Sequence, residues 1–182
     1  MVRIIMHGCN GKMGQVITRL AAEDGNCQIV AGIDTFRGIE NTYPVFDNLK
    51  DCDVEADVVI DFSNAKAVDG LLEACCEKKL PVVLCTTGLS EEQLQKVEDA
   101  AKETAVLKSA NMSLGINLLM RLLKDAAKSL PRQDMILKLL KSIIIKKVDA
   151  PSGTALALAD AINETQDPQY TYCFDRSQER KP

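Results

Sequence analysis

The run Val2-Arg3-Ile4-Ile5-Met6-His7 leads directly into Gly8-Cys9-Asn10-Gly11-Lys12-Met13-Gly14, so an apolar strand turns through glycines straight into a helix beginning near Met13. Glycines let the backbone turn tightly and approach a diphosphate, and the N–H groups at a helix start carry partial positive charge that holds one. A second strand-like run, Cys27-Gln28-Ile29-Val30-Ala31-Gly32-Ile33, ends at Asp34, twenty residues beyond Gly14. A dinucleotide-binding fold places there the acid that binds the adenosine ribose. The spacing G-x-x-G-x-x-G is a variant of the usual fingerprint, so the strand, helix and acid around it carry more of the argument than the glycines.

Beyond Asp34 the chain keeps alternating. Turn formers run through Pro44 and Asn48, and Ala56 to Phe62 reads as a strand. Asn64 can cap a helix with Val68, Leu71, Leu72 and Cys75 on one face. Pro81 to Cys85 is apolar throughout, as buried parallel strands are. Ser90-Glu91-Glu92-Gln93 opens another helix with a capping box, Ala105 to Ser109 reads as a strand, and Ile116 to Leu130 as a long amphipathic helix. Strands alternating with helices predict an α/β fold with a Rossmann-type doubly wound parallel sheet, which binds ligands beyond the carboxyl ends of its strands. Asp61-Phe62-Ser63, Thr86-Thr87-Gly88 and Asn111-Met112-Ser113 all fall at those ends. Each alone reads as a cap, a turn or core. Their coincidence on one edge above a glycine loop favours a site.

Composition narrows the partners. A net charge of -4 gives no basic footprint for nucleic acid or an anionic membrane. No apolar stretch approaches the ~20 residues of a membrane span, and the first residues lack a signal-peptide pattern, so a cytoplasmic protein with a small-molecule substrate is expected. Seven cysteines without C-x-x-C pairs read as reduced thiols, and a single histidine, His7, leaves little from which to build a metal site. At the end of the first strand, His7 reads as structural.

Gly-x-x-Gly-x-Met-Gly at 8 to 14, Asp61-Phe62-Ser63, Cys85-Thr86-Thr87-Gly88, Ala110-Asn111-Met112-Ser113-Leu114-Gly115-Ile116-Asn117 and Lys147-Val148-Asp149-Ala150-Pro151-Ser152-Gly153-Thr154-Ala155 together resemble the dihydrodipicolinate reductase family. The resemblance covers nearly the whole chain. It implies reduction of 4-hydroxy-tetrahydrodipicolinate by NADH or NADPH in lysine and diaminopimelate synthesis. It implies a dinucleotide-binding domain at 1–110 and an α+β substrate and oligomerisation domain at 111–182. Carried over, Gly8, Cys9, Asn10, Gly11, Lys12 and Met13 hold the pyrophosphate and Asp34 the ribose. Cys85, Thr86, Thr87, Ser109, Ala110, Asn111 and Met112 line the nicotinamide end. Lys147 donates the proton, and Gly153 and Thr154 grip a substrate carboxylate. A lysine beside two carboxylates stays protonated, and amides at a helix start suit an anion. Asp34 repels a 2′-phosphate while Arg37, three residues on, can accept one, so both nucleotides stay open.

Two departures follow. The family pattern before Lys147 is Glu-x-His-His-x-x-Lys, whereas here Lys141-Ser142-Ile143-Ile144-Ile145-Lys146-Lys147 lacks both histidines. Back-translated and read one nucleotide earlier, residues 132–147 become Glu-Thr-Gly-Tyr-Asp-Ile-Glu-Ile-Ile-Glu-Lys-His-His-Asn-Lys-Lys. That restores the pair where Ile143 and Ile144 stand, which reads as a base lost near Pro131 and one gained in the codons of Lys146 and Lys147. The rival is a diverged apolar segment, and with it a nucleotide-binding module without turnover. Second, the chain stops at Pro182, where the family continues with strands that complete the substrate domain and build a homotetramer. An incomplete second domain with exposed edges is the expectation.

Overall fold

The computed structural model describes residues 1–109, 111–129, 153–167 and 169–173. The chain divides into two compact units, Met1–Ala110 and Asn111–Pro182. The first holds β1 (Val2–His7), α1 (Lys12–Glu23), β2 (Cys27–Ile33), β3 (Val45–Phe46) and β4 (Val58–Asp61), followed by α2 (Ala65–Lys78), β5 (Val82–Leu84), α3 (Glu91–Glu103) and β6 (Val106–Lys108). All strand pairs are parallel, in the order β3-β2-β1-β4-β5-β6. The order reverses between β1 and β4, which opens a crevice at their carboxyl ends.

The central strands are buried on both faces, and β1 makes the reason visible. Successive side chains of a strand point to opposite faces. Ile5 accordingly joins Ile33, Val59 and Leu84 under Val68, Leu71 and Leu72 of α2 and Val97 of α3. Its neighbours Ile4 and Met6 join Ile29, Cys9 and Tyr43 with Ala21 of α1. A strand needed by two cores has no polar face, so these strands read as continuous apolar runs.

The caps behave as their sequences predict. Asn64 Oδ1 accepts the N–H of Lys66 at 3.1 Å. At α3, Ser90 Oγ accepts from Gln93 N and Gln93 Oε1 accepts from Ser90 N, both at 3.2 Å, closing the capping box. The stretch after Asp34 through Asn48 was expected to be loop, yet Val45–Phe46 forms the two-residue edge strand β3, with Gly32 opposite Val45 and Ile33 opposite Phe46. Two residues carry no periodicity to read; the free edge of β2 imposes the strand. β1 and β2 coincide with the apolar runs, whereas β4, β5 and β6 are a residue or two shorter at each end.

In the second unit, α4 (Leu114–Ser129) and α5 (Gly153–Asn163) pack together. Helix α4 starts two residues earlier than its periodicity implied, with Ser113 Oγ accepting Ile116 N at 3.4 Å. Helix α5 buries Leu158, Ala161 and Ile162, and Asn163 there holds Tyr170 through both its backbone groups. Gln166 Nε2 donates to Ala127 O at 3.3 Å. Among the described residues no helix is long and apolar enough to cross a membrane.

Replacing Ser90 with Ala removes the acceptor for Gln93 N and leaves a first-turn donor unpaired. Loss of such a cap costs about 1 kcal/mol. The urea midpoint of Ser90→Ala should fall at unchanged m-value; an unmoved midpoint would show that the box contributes nothing.

Candidate functional site

Between β1 and α1 the backbone makes a turn that only glycine fits. Gly8 sits at φ +80°, and a Cβ there would lie 2.7 Å from Phe62 O. At Gly14 a Cβ would lie 2.2 Å from Gly8 O, so the helix start and the turn are in backbone contact. Gly8 O accepts Gly11 N at 3.1 Å. Gly11 then caps α1 with no side chain over the first-turn amides. Gly11, Lys12 and Met13 are exposed while Cys9 and Asn10 are buried. An uncapped, exposed helix start behind a backbone cradle fits a diphosphate.

Asp34, just after β2, closes the cradle on one side. Its Oδ2 accepts Asn10 N and its Oδ1 accepts Phe36 N, both at 2.9 Å. Asn10 donates from its side chain to Phe36 O and accepts Asn41 Nδ2 at 2.8 Å. Gln15 Nε2 bridges Cys9 O at 2.9 Å and Asn41 Oδ1 at 3.2 Å. Gln15 and Asn41 were missed by sequence reasoning, since nothing in their local sequence marks them as supports of the loop. Arg37 does not lie open: Nη2 donates to Asp47 Oδ1 at 2.7 Å and Nη1 to Val45 O.

On the other side stands a buried hydrogen-bonded pair. His7, last residue of β1, is 8% exposed and donates Nδ1–H to Oδ1 of Asp61, which is fully buried opposite it on β4, at 2.6 Å. A carboxylate accepts only, so this geometry fixes the proton on Nδ1. The same Oδ1 accepts Ser63 Oγ at 2.6 Å, and Ser63 Oγ lies 3.5 Å from Thr86 Oγ1. Asp61 Oδ2 has no hydrogen-bond partner among the described residues. Burial pushes the Asp61 carboxyl up, but hydrogen bonds from His7 and Ser63 outweigh it and hold the group below its ordinary value. The ends of β1, β4 and β5 are thus linked at the sequence-predicted motifs. Thr86 is buried and Thr87 exposed at that edge. Cys85 turns its thiol inward, where burial, with the Asp61 charge adding to it, raises it to about 11. Ser109 joins the same edge through its N–H to Leu84 O at 3.1 Å.

In the second unit, Asn111 and Thr154 meet: Asn111 Nδ2 donates to Thr154 Oγ1 at 3.3 Å. The Asn111 amide is oriented by Ser113 N, which donates to its Oδ1 at 2.7 Å. Gly153 opens α5, so Thr154 stands in a helix first turn, and Met112 is exposed. Ala110 and Lys147, with the whole of residues 132–147, lie outside the described residues. Among the described residues no cluster of His, Cys, Asp or Glu could hold a metal ion.

A parallel sheet with strand order 3-2-1-4-5-6, a glycine cradle at its switch point and an acid after its second strand define a Rossmann-type nucleotide-binding domain. Comparison with known proteins takes this further. Residues 2–112 match the family "Dihydrodipicolinate reductase, N-terminus" and residues 115–181 "Dihydrodipicolinate reductase, C-terminus". The chain is 47% identical to the 4-hydroxy-tetrahydrodipicolinate reductase of Caldanaerobacter subterraneus subsp. tengcongensis, over all of this chain and 72% of that protein. With the Clostridium tetani enzyme of the same name it shares 45% over 97% of this chain and 69% of the other. A solved structure, the dipicolinate-bound dihydrodipicolinate reductase from Paenisporosarcina sp. TG-14, superposes with a TM-score of 0.69 at 25% identity, covering 100% of this chain and 71% of that one. Apo scyllo-inositol dehydrogenase from Lactobacillus casei shares the fold alone, at a TM-score of 0.53 and 15% identity over 69% of this chain and 42% of that one. The chain belongs to the dihydrodipicolinate reductase family, a family of oxidoreductases.

The buried pair makes a pH-dependent contribution with a definite sign. Because the folded-state value of Asp61 lies below its ordinary 3.8, the stabilisation is fully present above that value and is lost as pH falls through the depressed one. Asp61→Asn should therefore be less stable than wild type near neutrality, and the gap between their urea midpoints should narrow as pH is lowered to about 3. A gap constant with pH would mean that Asp61 is not ionised in the fold.

Proposed function

We propose that this chain reduces 4-hydroxy-tetrahydrodipicolinate to tetrahydrodipicolinate with a nicotinamide nucleotide, the reaction named by its relatives at 47% and 45% identity. The single observation that carries the reading is the cradle at Gly8 and Gly14, which is shut to any side chain, open to solvent at Met13 and flanked by Asp34. The amides of α1's first turn receive the diphosphate. Asp34, anchored by two backbone N–H groups, keeps lone pairs for the hydroxyls of the adenosine ribose. Residues 85–87 and 109 of the first unit line the nicotinamide end, with Thr86 set in place through Ser63 and Asp61.

Substrate binding falls to the Asn111–Thr154 pair and the first turn of α5. Thr154 Oγ1 accepts from Asn111, so its own proton is directed at another acceptor, and the N–H groups at Gly153 and Thr154 offer a seat for a carboxylate. The bound nucleotide supplies hydride. Substrate takes up that hydride and a proton and releases water, which balances the loss of one oxygen between the named reactant and product. Lys147 is the proton donor in this reading: an ammonium beside two carboxylates stays charged and can protonate carbon. The frame-shifted reading of residues 132–147 belongs with this proposal, because it returns two histidines to the segment that leads to Lys147.

The test pairs a nucleotide titration, followed by nicotinamide fluorescence, with NADH oxidation in the presence of substrate. Saturable binding with substrate-dependent oxidation supports the reading; binding without oxidation leaves a nucleotide-binding module, and no binding removes the cradle's role. Lys147→Ala should lower kcat by about 10²–10⁴ with the nucleotide Kd unchanged. Thr154→Ala should act instead on the substrate KM, raising it roughly tenfold for a lost hydrogen bond to a charged group. A Lys147→Ala variant at full rate would remove the lysine from the chemistry.

A further inference from the structure

The edge strand β3 holds a cation where a nucleotide cannot use it. The carbonyls of Pro44 and Phe46 both face β2, accepting Gly32 N and Asp34 N at 2.9 Å. Successive carbonyls along a strand point to opposite sides, so the carbonyl of Val45 faces the free edge of the sheet. Arg37 covers that edge, with Nη1 on Val45 O and Nη2 on Asp47 Oδ1 at 2.7 Å. Asp34 stands on the other side of β3, its carboxylate tied to the glycine loop through Asn10 N. Arg37 is the only cation between Asp34 and Asn48.

The 2′ position of the adenosine ribose is where the two nicotinamide nucleotides differ. A 2′-phosphate beside Asp34 brings two negative groups together and is tolerated only if a guanidinium comes between them. Both arms of Arg37's fork are engaged elsewhere, one of them by the opposite charge of Asp47. We propose that Asp47 is a specificity-determining residue: by latching Arg37 to the outer edge of β3 it denies the 2′-phosphate its counter-charge and makes the chain prefer NADH. The latch is adjustable. Arg37 and Asp47 side chains are 48% and 68% exposed, so the pair is worth what an exposed ion pair is worth, a severalfold change in affinity and not an absolute block. The edge also gains from it, because a guanidinium on the outward carbonyl blunts a strand that would otherwise pair with another chain.

The inference rests on the reading that the nucleotide binds at Gly8 to Asp34. Its test is calorimetric titration of wild type, Asp47→Asn, Arg37→Ala and the double variant with NADH and with NADPH separately. Asp47 is exposed and outside the binding machinery, so Asp47→Asn should keep its NADH Kd within about twofold while binding NADPH about three- to fivefold more tightly. Adding Arg37→Ala should abolish the gain. An unchanged NADPH Kd in Asp47→Asn, a gain that survives Arg37→Ala, or a wild type that already binds NADPH as tightly as NADH would each overturn the latch. Wild type that binds neither nucleotide overturns the nucleotide reading itself, a result distinct from NADH binding with no latch.

Discussion

A fully buried carboxylate at the end of β4 sets the terms for everything around it. Moving an ion out of water costs several kcal/mol after relaxation, and the cost is met only while its partners stay in place. For Asp61 those partners are His7 on β1 and Ser63 on the turn into α2. His7 and Asp61 are direct neighbours across the β1–β4 ladder, so the pair fastens the two strands where the sheet order reverses. Gly8 follows His7, and Phe62, whose carbonyl forbids a Cβ at Gly8, follows Asp61. The cradle's shape therefore depends on the His7–Asp61 hydrogen bond: shift one strand end and the Gly8–Phe62 approach changes with it.

A second network works from the opposite flank. Asp34 reaches back to Asn10 N, Asn41 holds the Asn10 side chain, and Gln15 ties Cys9 O to Asn41. The loop is thus held by side chains from α1, from the end of β2 and from the segment leading to β3, while its exposed amides carry no side chain at all. Residues that would touch a ligand are glycines and backbone; residues that fix their position are polar and half-buried or buried. Preorganising a site in this way leaves little ordering entropy to be lost when the nucleotide binds.

Much of this was legible in the sequence because the signals were local. Gly8, Gly11 and Gly14 after an apolar run, Asn64 and Ser90 before amphipathic runs, and Asp34 at a fixed distance each depend on a few neighbouring residues. What escaped was long-range or short. Val45–Phe46 is a strand only because β2 presents a free edge. Gln15 and Asn41 act over a 26-residue separation. His7 read as structural, and that reading carried no hint of Asp61, 54 residues away, because a parallel ladder pairs residues whose spacing is set by the intervening helices and loops. The same holds for Arg37: its position three residues after Asp34 reads as a phosphate ligand, and only the path of β3 places its guanidinium on Asp47 instead.

The cysteines follow from the same logic of burial. Cys9 lies inside the glycine-rich loop between β1 and α1. It is completely buried, and burial, reinforced by the charge of Asp34, raises its thiol to about 11. Cys75, on the buried face of α2, is raised to about 12 by burial, and Cys85 behaves as Cys9 does. Thiols held this far above neutrality are poor nucleophiles and remain uncharged. Cys9 therefore serves the loop as a small apolar plug beneath its backbone, and the Asp34 carboxylate that anchors Asn10 N also helps keep that plug neutral.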